Sequence, residues 1–166
     1  MHNDLTKKDI ELMEQELTHR LTVLRPKLLE EVKTARAFGD LSENFEYKAA
    51  KQEKNRNEGR IRYLQNMIRT AHIVDDAPKG DGAALYDKIT VAMADGKKAT
   101  YQVVTTMRTD PLHGLISLES PVGKALLGKK IGDIVHIQVD ERYGYDMVIR
   151  AIEKGSDDGS VPLNTY

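Results

Sequence analysis

Residues 35–47 read Ala35-Arg36-Ala37-Phe38-Gly39-Asp40-Leu41-Ser42-Glu43-Asn44-Phe45-Glu46-Tyr47. They separate two stretches with the same rhythm, which makes them the join of a helical hairpin. Upstream, Ile10, Met13, Leu17, Leu21, Leu24, Leu28, Val32 and Ala35 are spaced alternately by three and four. That is the pattern of a helix packing one narrow seam against a partner helix. Thr6 is placed to cap it. Pro26 falls inside the pattern; it removes a backbone donor and crowds the preceding turn, so the sequence predicts a kink there rather than a stop. Downstream, Tyr47, Ala50, Lys54, Asn57, Ile61, Leu64, Ile68 and Ala71 repeat the spacing, with an apolar seam toward Ala71 and a polar one at Lys54 and Asn57. Two such helices joined by a short loop make an antiparallel hairpin. About 30 residues at about 1.5 Å each give an arm of about 45 Å. Its far end has small or polar seam residues and no third element to cover it, which predicts that it projects. At the join, Gly39 suits the left-handed residue that ends the first helix, Asp40 or Ser42 can cap the second, and Glu43 and Glu46 then fall in a first turn whose dipole favours acids.

The rhythm changes near Asp75. Apolar residues now come in short runs divided by Gly, Pro and Asp, predicting an α+β fold: the helical coiled-coil hairpin, then a small antiparallel sheet domain with one short helix. Candidate strands are residues 89–94, 100–106, 115–118, 134–139 and 145–152. Asp95-Gly96 is a hairpin turn. Ser120-Pro121 caps and starts the short helix, and Gly128 ends it. The expected division is an arm over 1–76, a linker over 77–82, a globular domain over 83–154, and a flexible Gly/Ser/Asp-rich tail over 155–166.

Bulk properties narrow the function. The 166 residues carry a formal net charge of −1, so charge gives no reason for tight nonspecific nucleic-acid binding. There is no Cys, which excludes a disulfide framework and thiolate metal sites and fits a reducing, cytoplasmic setting. No apolar run is long enough for a membrane span, and the first residues lack a signal core. Aromatics are scarce and Trp is absent, which argues against base-stacking platforms of the kind single-strand binders use.

Among candidate chemistry, Asp40 and Glu43 stand three apart at a loop-to-helix junction. Two carboxylates there can converge on one point and suit a hard divalent cation such as magnesium, although water or a partner must complete the shell. The same spacing also describes an Asp cap with a Glu three on, and from spacing alone the capping reading is the better one. Lys48, Lys51, Lys54, Arg56, Arg60, Arg62 and Arg69 make the second helix basic. They read equally as RNA or protein contacts and as a solvated, ion-paired face. The scattered His residues lack metal-ligand spacing, Gly80 to Gly82 lacks the Lys of a phosphate loop, and Ser120 lacks a nucleophile elbow.

The join, its continuation through Ala50-Lys51 and Glu58-Gly59-Arg60-Ile61, the upstream Arg25-Pro26, and the run Ser120-Pro121-Val122-Gly123-Lys124-Ala125-Leu126-Leu127-Gly128 with Gly132-Asp133 together resemble the GreA/GreB family of transcript cleavage factors. The resemblance covers about residues 5–153 and looks closer to the GreA branch. It implies a C-terminal domain similar to the FK506-binding fold, and a role in transcription elongation and its regulation, with RNA polymerase and DNA binding. The implied partners are bacterial RNA polymerase, entered through its secondary channel, and the 3′ end of backtracked nascent RNA. Carried over by motif, Asp40 and Glu43 are the tip acids that share a magnesium ion with the polymerase. Gly39, Leu41, Ser42, Asn44 and Tyr47 support the tip, and Arg36, Lys48, Lys51 and Arg56 are candidate RNA or polymerase contacts. The chain is then a monomeric protein cofactor with no stably bound metal of its own, and the polymerase is the nuclease. Phe38 and Phe45 make this tip bulkier than an alanine-rich version. Three other readings compete: a channel-binding inhibitor without cleavage stimulation, a chaperone or prolyl isomerase suggested by the expected fold, and a plain coiled-coil adaptor. The intact acid pair argues against the inhibitor, and fold analogy is weak warrant for isomerase activity.

Overall fold

The computed structural model describes residues 3–39, 44–75 and 80–165. They fall in two compact units. One holds the described residues through Asp9 and from His72 to Thr165, and the other holds Ile10–Ala71.

The helical unit takes α1 (Lys7–His19), a π-helical turn (Arg20–Leu24), α2 (Arg25–Arg36) and α3 (Phe45–Thr70). The π turn is the local answer to Pro26. Proline has no N–H for the carbonyl one turn back, and its ring crowds that turn; a widened turn just before it relieves both. The N–H of Arg25 reaches Arg20 O across that wider turn. The seam follows the expected spacing. Met13, Ala35, Ile61, Leu64 and Met67 are buried, and so are Asn57 and Arg60. The polar part of the seam is fully bonded. Arg20 Nη1 donates to Asn57 Oδ1 at 2.8 Å. Glu16 accepts from Arg20 Nε at 2.8 Å and from Arg60 Nε at 2.9 Å. Arg25 holds Glu58 through two 2.8 Å bonds. Burial would raise the Glu16 pKa, but the bonds from Arg60 and Arg20 outweigh it and hold this carboxyl below the usual range. Charge-assisted bonds of this geometry fix helix register more than they add stability.

In the globular unit, β1 (Asn3–Leu5) pairs with β2 (Ala71–Ile73). Strands β3 (Lys88–Met93), β4 (Lys98–Val104), β5 (Leu115–Ser117), β6 (Ile134–Gln138) and β7 (Gly144–Glu153) form one sheet in the order β5-β4-β3-β7-β6. Alternate residues Ile89 and Val91, Val135 and Ile137, Met147 and Ile149 turn to one buried face, as the two-residue strand period requires. Helix α4 (Pro121–Leu126) contributes Leu126 to that core, and its cap is Ser120, whose hydroxyl accepts from Gly123 N at 3.0 Å. Gly123 has no room for a side chain, because a Cβ there would lie 2.1 Å from Ser117 O. Gly123→Ala should lower stability by about 3 kcal/mol, the upper end for overpacking against backbone; urea unfolding with an unchanged m-value and a lower midpoint would show it.

Three features differ from the sequence reading. First, the sheet is mixed: β4 and β5 run parallel, because the ten residues between them make two 3₁₀ turns (Thr106–Arg108, Pro111–His113) and a crossover, not a hairpin. Second, the helical unit starts at Ile10, not residue 1. The first residues are drawn into the globular unit by strand pairing and by a capping box. In that box Thr6 N donates to Asp9 Oδ2 at 2.8 Å and Asp9 N donates to Thr6 Oγ1 at 3.1 Å. Third, the tail expected to be flexible is bonded into the domain. Arg108, fully buried, donates to Asp9 Oδ1 at 2.9 Å, to Asp157 Oδ1 at 2.8 Å and to Val161 O at 2.6 Å. Asn164 Nδ2 donates to Thr106 O at 2.8 Å. Polar composition suggested disorder, but here the polar groups of the tail satisfy a buried cation that the sheet cannot.

Candidate functional site

The join between α2 and α3 is the site that the sequence singles out. Asp40, Leu41, Ser42 and Glu43 lie outside the described residues. Helix α2 ends at Arg36, and Gly39 follows with φ +117°, a conformation that favours Gly. The cap of α3 is Asn44, not Asp40 or Ser42, so the expectation for those two is corrected. Asn44 has extended backbone, and its Oδ1 accepts from Tyr47 N at 2.9 Å. Its other end does different work: Nδ2 donates to Ala35 O at 2.8 Å. The same carbonyl accepts from Phe38 N at 3.2 Å. One Asn therefore caps α3 and ties it to the last turn of α2.

This changes how the acids are read. The capping explanation for Asp40 with Glu43 required one of them, or Ser42, to start α3. Asn44 fills that position, and Glu46 supplies the acid of the first turn.

The side chains expected to support the tip or touch a partner divide into two groups. Arg36 Nη2 donates to Tyr47 Oη at 3.2 Å, and its guanidinium lies 5.4 Å from the Tyr47 ring centroid. That bond, with Arg36, Lys51 and Lys54 adding positive field against a smaller desolvation, holds the Tyr47 phenol below its usual pKa. Lys48 Nζ sits 5.7 Å from the Phe45 ring centroid. Arg36, Tyr47, Phe45 and Lys48 thus gather at this end of the hairpin. Arg56 does not join them; it pairs with Glu53 at 2.6 Å in an exposed i,i+3 bridge. Lys51 is exposed on α3. The Arg36–Tyr47 stack carried no sequence signal beyond the two residues themselves, whereas the Asn44 cap had one: an Asn directly before a helical run.

Among the described residues no three His, Asp or Glu side chains gather as a metal site, and no helix is long and apolar enough to cross a membrane. As hard oxygen donors, Asp40 and Glu43 fit magnesium chemically, but two carboxylates supply only part of its octahedral shell.

Replacing Asn44 by Ala removes the cap and the tie to Ala35 together. The expected loss is about 1–2 kcal/mol, concentrated at the hairpin end. Hydrogen exchange should show faster exchange at Tyr47 and Lys48 amides, with the Ile61–Leu64 amides unchanged.

Comparison with known proteins covers both units. Residues 3–73 match the family described as transcription elongation factor, N-terminal, and residues 78–154 match transcription elongation factor, GreA/GreB, C-term. The chain is 42% identical over 150 residues to transcription elongation factor GreA of Geobacillus kaustophilus, covering 89% of this chain and 93% of that protein. It is 39% identical over 150 residues to GreA of Bacillus subtilis, covering 90% and 94%. The crystal structure of GreA factor homolog 1 of Thermus thermophilus aligns with a TM-score of 0.43 at 26% identity, over 93% of this chain and 100% of that one. With both of its units matched and near-full-length relatives at about 40% identity, the chain belongs to the GreA/GreB family of transcription elongation factors.

Proposed function

We propose that this protein binds bacterial RNA polymerase through its secondary channel and stimulates cleavage of backtracked RNA by the polymerase, rescuing arrested complexes. The observation that carries the reading is the Asn44 cap. Asn44, and not Asp40 or Ser42, starts α3, so the motif's acid pair, Asp40 and Glu43, is not required as the cap of that helix.

In this reading the chain is not itself the nuclease. Asp40 and Glu43 supply oxygen ligands and orient an attacking water, and Asn44 with Tyr47 holds the helix ends that present them. Magnesium shared with the polymerase supplies the Lewis-acid charge for attack on the phosphodiester. The globular unit supplies docking, and the protein acts as a cytoplasmic monomer.

The test is RNA cleavage in stalled, backtracked elongation complexes. Magnesium-dependent shortening of the transcript on adding the protein is expected. Slowed elongation with no shortening would overturn the reading in favour of a channel-blocking inhibitor.

A further inference from the structure

Phenylalanine occurs twice in this chain, at positions 38 and 45, and neither ring enters a core: Phe38 is 72% and Phe45 80% exposed. Each stands two residues from a tip acid, Phe38 before Asp40 and Phe45 after Glu43, a reach of about 7 Å along the backbone. Ala35 O draws the two sides together by accepting from Phe38 N and from Asn44 Nδ2, the neighbour of Phe45. Lys48 lies beside the Phe45 ring, and Arg36 lies over the ring of Tyr47, which shares the first turn of α3 with Phe45. Exposure on this scale forgoes the burial that ordinarily retains Phe. A flat ring beside a cation matches a nucleotide, whose base stacks on the ring while its phosphate meets the cation.

We infer that Phe38 and Phe45 form a stacking clamp for the base at the 3′ end of the extruded RNA, with Arg36 and Lys48 facing its phosphates. The inference rests on the cleavage reading, which brings RNA to this end of the hairpin. Scarcity of aromatics elsewhere excludes an extended single-strand platform; one nucleotide needs no more than two rings. The clamp holds the terminal nucleotide still relative to the acids, so it is a positioning device, not a catalytic one.

The test uses backtracked complexes with 5-iodouridine as the 3′ nucleotide, which crosslinks on irradiation to rings stacked on it. The Asp40→Ala/Glu43→Ala form keeps the transcript intact during irradiation. In that form a crosslink to the hairpin end is expected. It should fall about tenfold with Phe38→Ala/Phe45→Ala, stay low with Leu at both positions, and return with Tyr at both, on the scale of one lost base–aromatic stack. With both acids present, cleavage should slow about tenfold in the Leu form and recover in the Tyr form. A crosslink undiminished by Ala, or equal cleavage with Leu and Phe, overturns the clamp. So does weaker binding of the Ala form to polymerase free of RNA that Leu restores, since the rings then contact protein. Failure of the cleavage reading shows separately, as wild-type protein that shortens no transcript whatever occupies positions 38 and 45.

Discussion

Replacing Asp40 and Glu43 together by Ala should reduce stimulated transcript cleavage by about 10²-fold or more, while binding to polymerase stays within about twofold of wild type. The first figure is the scale of rate lost when a preorganised electrostatic contribution to a transition state is removed. The second follows from the division of the chain. The carboxylates occupy a four-residue segment of the join, whereas a stable protein interface needs a far larger surface, which the globular unit can offer. Nor should folding suffer, since Asn44 and Glu46 already satisfy the first turn of α3. Single substitutions should each lose most of the effect, because groups acting on one centre are not additive. Cleavage rates and polymerase affinity measured side by side decide the matter; a variant that fails to bind would show that the acids dock the protein and do not serve catalysis. Free protein should show no tight magnesium site by calorimetry, as two carboxylates leave most of the shell to water.

Arg108→Ala should destabilise the globular unit by about 3–5 kcal/mol, a large part of the about 5–15 kcal/mol that holds a typical domain. Arg108 is the buried cation between Asp9 and Asp157, and its side chain and both of theirs are shielded from solvent. It also lies 5.5 Å from the Tyr86 ring centroid. Truncating it strands two carboxylates in a dry setting, at a cost well above the worth of the pairs themselves. Deleting the chain after Lys154 should act through the same centre in the opposite sense, by removing Asp157 and the Val161 carbonyl from Arg108. Denaturant midpoints of the two variants should both fall, and the double variant should lose less than the sum, since the residues share partners.

The same cluster sets an acid limit. Burial pushes the Asp157 carboxyl up, but bonds from Arg108 and Thr6 win and hold it below the usual aspartate range. A depressed carboxylate adds stability that is complete at neutral pH and lost as pH falls through its folded value, here below about pH 4. Asp157→Asn should therefore flatten the loss of stability between about pH 5 and pH 2 relative to wild type, as read from urea midpoints.

The helical hairpin was legible because its signal is local and repeated. The spacing from Ile10 to Ala35 and from Tyr47 to Ala71 dictates one apolar stripe per helix, and no tertiary contact is needed to see it. The Asp95-Gly96 turn and the Ser120-Pro121 helix start were legible for the same reason, since each depends on a few adjacent backbone angles. The five strands of the main sheet were placed within two residues, but β1 and β2 were not foreseen, because a three-residue strand leaves no period to read. The candidate acids were visible as residue types, but spacing alone did not show that Asn44, and not Asp40, would cap α3.

What the sequence by itself determined is the helical hairpin followed by a small sheet domain, the change of rhythm near Asp75, and the family. These depend on periodicity and on motif, which run along the chain. The tertiary structure alone decided three things: that Asn44 ties the start of α3 to the last turn of α2, that β5 lies parallel to β4, and that the polar tail closes over Arg108. The first and the last depend on partners distant in sequence: Ala35 nine residues from Asn44, Asp9 ninety-nine from Arg108, and Asp157 forty-nine from it. A buried charge must find its counter-charge wherever the fold brings one, and no local pattern records that distance.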